Sequence, residues 1–454
     1  MTSQVGEPFW KRVRAALGAF FFAQGIRAVV RKTTKTRLAL SCAAGVMVLA
    51  ASARAEDTIA DAISASKPIL DSNLRWEQVD QQGVANTAEA LTWRNRFGLQ
   101  TGDFHNFKAL VEIDSVNILS DKYNSTLNGN TAYPTVLDPK VTEINRAQIT
   151  WTPDATNTLT LGRQRIILDD ARFIGNVGWR QDEQTYDAVR FDTTLWRVKL
   201  TGAYIGRVNR VVGDAKDWYS NSYVLNASYS VNEALKFTAF DYALRFSTAA
   251  TAPVAADQTN AAASSVAIKG LRAYGSDWVS AFKLGYVLQY AGEKPNGLNP
   301  AVFDLHESMI EGSATYDIYT LKLNYEALQG NGTVGFVAPL GTSHAFQGYD
   351  DVFSATGGNK TFVNGIDDLN ASFVVAGHTK PWAPWFMNPT LTVVYHDFKT
   401  DRLDQKIGKE WDAVLVAGLT KNLSLMLKYA DFERASPTMP ASRTKTWIAL
   451  NYKL

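Results

Sequence analysis

Residues 91–100 read LTWRNRFGLQ. Leu91, Trp93, Phe97 and Leu99 fall on one side of an extended chain; Thr92, Arg94, Arg96 and Gln100 fall on the other. Period two is the spacing of a β-strand, whose successive side chains point to opposite faces. The apolar face is large and aromatic, yet it backs onto two arginines. If that face meets lipid, the arginines must face a lumen, because a Lys or Arg turned to the bilayer midplane costs about 2–4 kcal/mol.

The pattern recurs along the chain. In LWRVKLTGAY (195–204), Trp196, Val198, Leu200 and Tyr204 oppose Arg197, Lys199 and Thr201. In LKLNYEAL (321–328), Leu321, Leu323, Tyr325 and Ala327 oppose Lys322, Asn324 and Glu326. WDAVLVAGL (411–419) and LSLMLKYA (423–430) alternate with less polar inner faces. After the N-terminal region no run of about 20 apolar residues occurs, so no spanning helix is expected.

Alternation also suits a soluble sandwich, and two features favour a membrane barrel. The chain ends TWIALNYKL, with Ile448, Leu450, Tyr452 and the terminal Leu454 alternating to the last residue. This resembles the C-terminal strand signal of bacterial outer-membrane proteins, where Phe is the usual last residue. The connections also alternate in length. Short turns are expected near 102–106, 152–157, 192–195, 230–234, 274–277, 316–319 and 421–422, with a Pro-rich one at 380–389. Longer polar loops are expected near 79–87, 120–142, 169–184, 211–217, 247–263, 291–308, 329–365, 400–409 and 433–442. Such a rhythm separates extracellular loops from periplasmic turns.

The predicted fold is therefore all-β: a transmembrane antiparallel barrel of about 18 strands, with 16 as the alternative count. A candidate strand around 342–353 is assigned to a long loop, to keep the alternation of connections. One closed domain over 56–454 follows, because an open sheet edge cannot sit in lipid.

The N-terminal stretch RKTTKTRLALSCAAGVMVLAASARAED has a basic n-region, an apolar run from Leu38 to Ala51 and an A-x-A site at Ala53–Ala55. It reads as a signal peptide within an N-terminal segment 1–55, cleaved after Ala55. Cys42, the lone cysteine, precedes most of the apolar run, which argues against a lipoprotein site. Removing 1–55 takes away nine basic residues and one acidic residue, leaving 37 basic and 43 acidic, a formal charge of −6. The balance gives no sign of nucleic-acid binding, so any anion preference must come from local clusters.

Catalytic signatures such as GxSxG, HExxH, CxxC or a P-loop are missing, and the five histidines are scattered. No catalytic residue, metal ligand or cofactor is assigned. An outer-membrane enzyme would need a Ser/His pair assembled from distant strands.

The chemistry sits in the basic residues of the inner faces. A pivot near Phe104 predicts Arg94 opposite Asp114 and Arg96 opposite Glu112, as cross-strand pairs or as part of a ligand path. A tight turn at Thr193-Thr194 predicts Arg190 opposite Arg197 with Lys199 beside them; like charges face to face suit a passing anion, or need Asp192 or Asp187 between them. Arg146 is in phase with Gln148 and Thr150. Arg163 and Arg165 are out of phase with Leu159 and Leu161, so either Gly162 marks a bulge or the strand has left the apolar zone there. The stretch RFIGNVGWRQDEQTYD (172–187) is the third long connection, and either hangs outside the barrel or folds inward to narrow it.

Residues 70–210 resemble the alginate-export family of outer-membrane barrels, through NLRWEQVD, LTWRNRFGLQTGDFHNFKALVEID, INRAQITWTP and LTLGRQRIILDDARFIGNVGWRQDEQTYDAV. The resemblance implies an 18-stranded monomeric porin in the bacterial outer membrane, with an arginine-rich constriction that passes acidic polysaccharide. Carried onto this chain, it implies Arg94, Arg96, Arg146, Arg163, Arg165, Arg180 and Arg190, with Asp169, Asp182 and Asp187 as partners. The expected function is passive diffusion of an anionic solute, an acidic saccharide or another small anion; a porin without anion preference is the alternative.

Overall fold

The computed structural model describes residues 58–248, 260–353, 362–377 and 386–454. The expected signal peptide, with Cys42 and the expected cleavage site, lies outside the described residues, as do most of the 247–263 loop and of the Pro-rich turn at 380–389.

A short helix α1 (Ile59–Ser64) leads into eighteen strands. They are β1 (Lys67–Gln81), β2 (Ala88–Gln100), β3 (Phe107–Lys122), β4 (Val141–Trp151), β5 (Asn157–Gln164), β6 (Thr185–Leu195), β7 (Val198–Asn209), β8 (Trp218–Asn232) and β9 (Leu235–Ala243, resuming at Phe246–Ser247). The second half runs β10 (Val266–Val279), β11 (Phe282–Pro295), β12 (Leu305–Tyr316), β13 (Tyr319–Leu328), β14 (Ile366–Ala376), β15 (Met387–Lys399), β16 (Lys406–Gly418), β17 (Leu423–Arg434) and β18 (Arg443–Lys453). Each strand pairs antiparallel with the next, and β1 pairs with β18 over Asp71–Gln81, so the sheet closes without an edge. Closure satisfies every ladder donor within the barrel, the condition for crossing lipid with strands.

The outward face is the expected one. Trp93, Phe97 and Leu99 are exposed while Arg94 and Arg96 between them are buried. On β13, Tyr319, Leu321, Leu323 and Tyr325 all face outward. Six residues at about 3.4 Å each separate the two tyrosines by about 20 Å, which matches an apolar band bounded by aromatic girdles. At the C-terminus Ile448, Leu450 and Tyr452 continue the outer face, and Lys445, Trp447 and Ala449 the inner one.

The connections alternate long and short as the sequence predicts, but two short turns sit further along. The β6–β7 turn is Trp196-Arg197, not Thr193-Thr194, and the β10–β11 turn is Ser280-Ala281, not 274–277. In both, the first turn residue takes a left-handed backbone, Trp196 at φ 57° and Ser280 at φ 58°. Glycine or asparagine usually marks such positions; neither is present, so alternation ran on through the turn. Residues 342–353 form no strand, as expected.

The extracellular half of the lumen is filled by the third long loop (165–184) and the described parts of the seventh (329–365). They carry their own apolar core, with Ile166, Phe173, Ile174, Val334, Phe336 and Leu340 fully or almost fully buried. An isolated bridge, Ile174 to Leu340, joins them.

Candidate functional site

The third loop leaves β5 at Gln164 and crosses the barrel. Asp169 accepts from Asn226 of β8 at 2.8 Å, Asp170 pairs with Arg272 of β10, and Arg172 pairs with Glu326 of β13. The chain then turns back: Gly175 N donates to Leu340 O at 2.8 Å, and the Tyr186 hydroxyl donates to Gly175 O at 2.6 Å. The return limb docks on the first strands. Arg75 of β1 donates to the Trp179 carbonyl at 2.6 Å, Gln181 donates to Thr92 of β2 at 2.8 Å, and Asn145 of β4 donates to Glu183 at 2.6 Å. The stretch 172–187 therefore folds into the lumen and does not hang outside it.

The predicted cross-strand pairs are out by two residues. Arg96 stands across from Asp114 and bonds it at 2.6 Å; Arg94 stands across from Val116 and pairs with Asp71; Glu112 faces Gly98. A bulge between Leu91 and Thr92 lies further up the same ladder. Arg190 does not face Arg197. It stands across from Ala203 and binds Asp192 at 2.8 Å on its own strand. Arg197 is in the exposed turn, donating to Val231 O at 2.9 Å, and Lys199 stands across from Thr194. The pair thus occupies two different depths.

The remaining arginines each have carboxylates. Arg146 forks onto Glu112 at 2.9 and 2.7 Å, the bidentate geometry that guanidinium favours. Arg165 binds Glu183 and reaches Glu112 at 3.4 Å. Arg180 lies between Glu77 at 3.2 Å, Asp138 at 3.5 Å and Asp351 at 3.8 Å, with its guanidinium over the Trp179 ring. Arg163 bonds Asp187 at 2.7 Å; no register shift accompanies Gly162, and β5 ends two residues after it at Gln164, so this strand has reached its outer end there. Asp187 is engaged by an arginine, Arg163, and Asp169 by Asn226 in place of the arginine expected. Asp182 is not: it is fully buried, neither carboxylate oxygen has a protein partner, and burial beside Glu143 and Asp114 pushes its carboxyl well up. Its neighbour Glu183 does that work. Burial alone would raise Glu183, but Arg96 and Arg165 outweigh it and hold it at about 2.

Sequence reasoning missed Glu77, Asp138 and Glu183, together with Arg75, and gave Glu112 to Arg96 where the structure gives it to Arg146. It also missed the opposite wall. There β11 to β14 carry Glu293, Glu307, Glu326 and Asp368, and β16 carries Glu410 and Asp412, all buried. Alternation does put these acids on inner faces, but nothing local marks them as loop anchors. The seventh loop rests on them. Val337 N donates to Glu293 at 3.0 Å, Gln347 bonds Glu326, and His344 stacks on Trp179 with ring centroids 3.5 Å apart. Burial holds the His344 imidazole down at about 3, so it is neutral. It contacts Lys428 through Nε2 and Asp351 through Nδ1 at 2.8 Å. Among the described residues no three His, Cys, Asp or Glu side chains are arranged to hold a metal ion.

The inward arginines differ in exposure. Arg146, Arg165 and Arg190 are 16, 29 and 25% exposed, whereas Arg96 and Arg180 are 4% exposed. Arg163 is 17% exposed and falls with the first group. Asp169 and Asp170 are exposed on the outgoing limb of the third loop, beside Arg272.

No protein-family model matches the chain, and no curated protein does. Solved structures match over nearly their whole length. OccAB4 of Acinetobacter baumannii aligns with a TM-score of 0.65 at 12% identity, covering 88% of this chain and 99% of that one. OpdK of Pseudomonas aeruginosa, solved with vanillate, aligns with a TM-score of 0.62 at 14% identity, covering 86% and 98%. OccK8 (OprE) of the same organism gives 0.63 at 13%, covering 86% and 98%. Identities this low carry the fold alone. These neighbours are Occ and Opd barrels and not alginate exporters, so the narrower family expected from the sequence finds no support among them. With its apolar outer band and closed 18-strand sheet, the chain has the fold of the outer-membrane porins and lies in the bacterial outer membrane.

Proposed function

We propose that the chain is a passive outer-membrane channel for small solutes bearing carboxylates, acting as a monomer in outer-membrane lipid. Acidic saccharides, suggested by the resemblance to alginate exporters, are one class; small cyclic carboxylates are another, suggested by vanillate in the structure of OpdK. The observation that carries the reading is the set of partly exposed inward arginines: Arg146 and Arg165, which share Glu112 at the start of the third loop, and Arg190 further along β6. Each holds a carboxylate of the protein, so a solute carboxylate can exchange with that partner without leaving a bare guanidinium. Weak sites in series then let a solute enter and leave. No energy source or cofactor is required.

A channel without charge preference is the second reading, favoured because every one of these arginines already has an acid. Reversal potentials in planar bilayers under a salt gradient separate the two. Anion preference, with block by oligouronates or by vanillate, is the expected result; cation preference overturns the carboxylate reading, and an absence of conductance overturns the channel. The blocker that acts at the lower concentration identifies the solute class.

A further inference from the structure

Residues 344–351 of the seventh loop lie in the lumen without a sheet partner, and three carboxylates hold them. Asp350 N donates to Glu410 Oε1 at 2.8 Å, and Tyr349 N donates to Asp412 Oδ2 at 3.1 Å. In return the Asp350 carboxylate accepts from Phe432 N of β17 at 2.7 Å. All three acids are buried, Asp350 and Glu410 at 0% exposure and Asp412 at 1%. Each also has a second oxygen with no protein partner: Asp350 Oδ1, Glu410 Oε2 and Asp412 Oδ1.

Ionised carboxylates are acceptors only and repel one another at close quarters. A proton on one of them makes it a donor to a neighbour's bare oxygen. The surrounding cations are engaged elsewhere. On β18, Lys445 binds Asp351 at 2.8 Å, and Arg443 donates to the Asp350 carbonyl at 3.0 Å and to Gln81 at 2.8 Å. On β15, His396 gives Nδ1 to Asp368 of β14 at 2.8 Å, with Nε2 3.6 Å from Asp412. On β17, Lys428 lies over the Tyr349 ring and against His344, and Asp351 and Arg180 pair with each other. Gly348, at φ 86°, passes so close to Glu410 that a Cβ there would overlap its carboxylate.

We propose that Asp350 and Glu410, beside the Asp412 carboxylate, form a proton-held latch: segment 344–351 is fastened to the wall while a proton remains in the cluster, and loosens when it is lost. The segment carries His344, stacked on Trp179, and Gln347, bonded to Glu326 beside Arg172. Loosening it therefore reaches the third loop, which borders the passage, and external pH becomes a control on the channel.

Burial pushes the Asp350 carboxyl up to about 7, against the pull of Lys445 and Arg443. A free aspartate titrates near 3.9. The fastened state keeps its proton to the higher pH. Fastening is thus strongest below about 4, weakens as pH rises toward about 7, and is weakest above it.

Hydrogen exchange at the Tyr349 and Asp350 amides of the full chain in detergent tests this, after correction for the intrinsic pH dependence of exchange. Protection is expected to fall by at least about tenfold between pH 5 and pH 8, a tenfold change corresponding to one pKa unit. Glu410→Gln, whose amide donates at every pH, is expected to keep protection at both, and Asp350→Asn serves as a second such variant. Equal protection at both pH values in the unaltered chain overturns the latch, as does the same fall in both variants. The readout does not require conduction, so its failure is distinct from failure of the solute reading.

Discussion

The wall formed by β1–β6 and the wall formed by β11–β16 meet the same difficulty in different ways. Both must bury polar side chains where loops fold into the lumen. The first wall mixes signs: Arg75, Arg94, Arg96 and Arg146 alternate with Glu77, Glu112 and Asp114, and the third loop adds both Arg165 and Glu183. The second wall is acidic, with Glu293, Glu307, Glu326, Asp368, Glu410 and Asp412 on its strands. Its carboxylates meet loop N–H groups, the amides of Gln289 and Gln347, His396, and one long-range arginine, Arg172. The difference teaches where each property sits. The mixed wall retains partly exposed cations, the feature on which the proposed anion preference rests. The acidic wall keeps an inward lysine, Lys322, paired with Glu311, but its buried acids work as an anchor for chain that lacks sheet partners.

The largest expected effect comes from the single arginine that joins the two. Arg172→Ala leaves Glu326 buried without its cation, and breaking a buried pair on one side costs about 3–5 kcal/mol. Urea unfolding of the refolded barrel measures it, and pairing Arg172→Met with Glu326→Gln should recover most of the loss. A single variant as stable as the parent chain would show that this link does not hold the third loop in place.

Next comes Gly348→Ala. Its left-handed backbone and the overlap with Glu410 should cost about 1–3 kcal/mol locally. The signature is faster exchange at Tyr349 and Asp350 and noisier single-channel current, with the β1–β6 network untouched. Quiet current and unchanged exchange would mean the segment has room that the geometry denies.

Arg190→Gln addresses the mixed wall. It should lower anion preference in reversal-potential measurements while changing stability by no more than about 1 kcal/mol, as for other part-exposed ion pairs. Arg197→Gln, in the turn at the far end, should leave selectivity alone. If the two variants behave alike, depth in the barrel is not what matters. The smallest effect belongs to Lys409→Ala, which breaks an outward, exposed pair with Glu433; no measurable change in the unfolding midpoint is expected. A measurable loss would place energy in the outer rim that neither wall accounts for.

Much of this was legible in the chain. The eighteen strands, the sided placement of Arg94 and Arg96 and the order of long and short connections follow from a period of two under a lipid solvent that forbids charge on one face. Register was less legible. The Arg96–Asp114 pairing was missed by two residues because the pivot of the β2–β3 connection is set by its backbone, and the β6–β7 turn was missed because Trp196 carries a left-handed turn that its residue type does not advertise.

The sequence alone determined that the chain makes a barrel and which way its arginines face, since those depend on local alternation and on the cost of desolvating charge. Only the tertiary structure decided which carboxylate each arginine meets. Arg172 and Glu326, Arg180 and Glu77, and Asp350 and Glu410 are separated by tens to hundreds of residues. Their meeting depends on closure of the sheet and on two loops folding inward, and no local pattern encodes a contact made across a lumen.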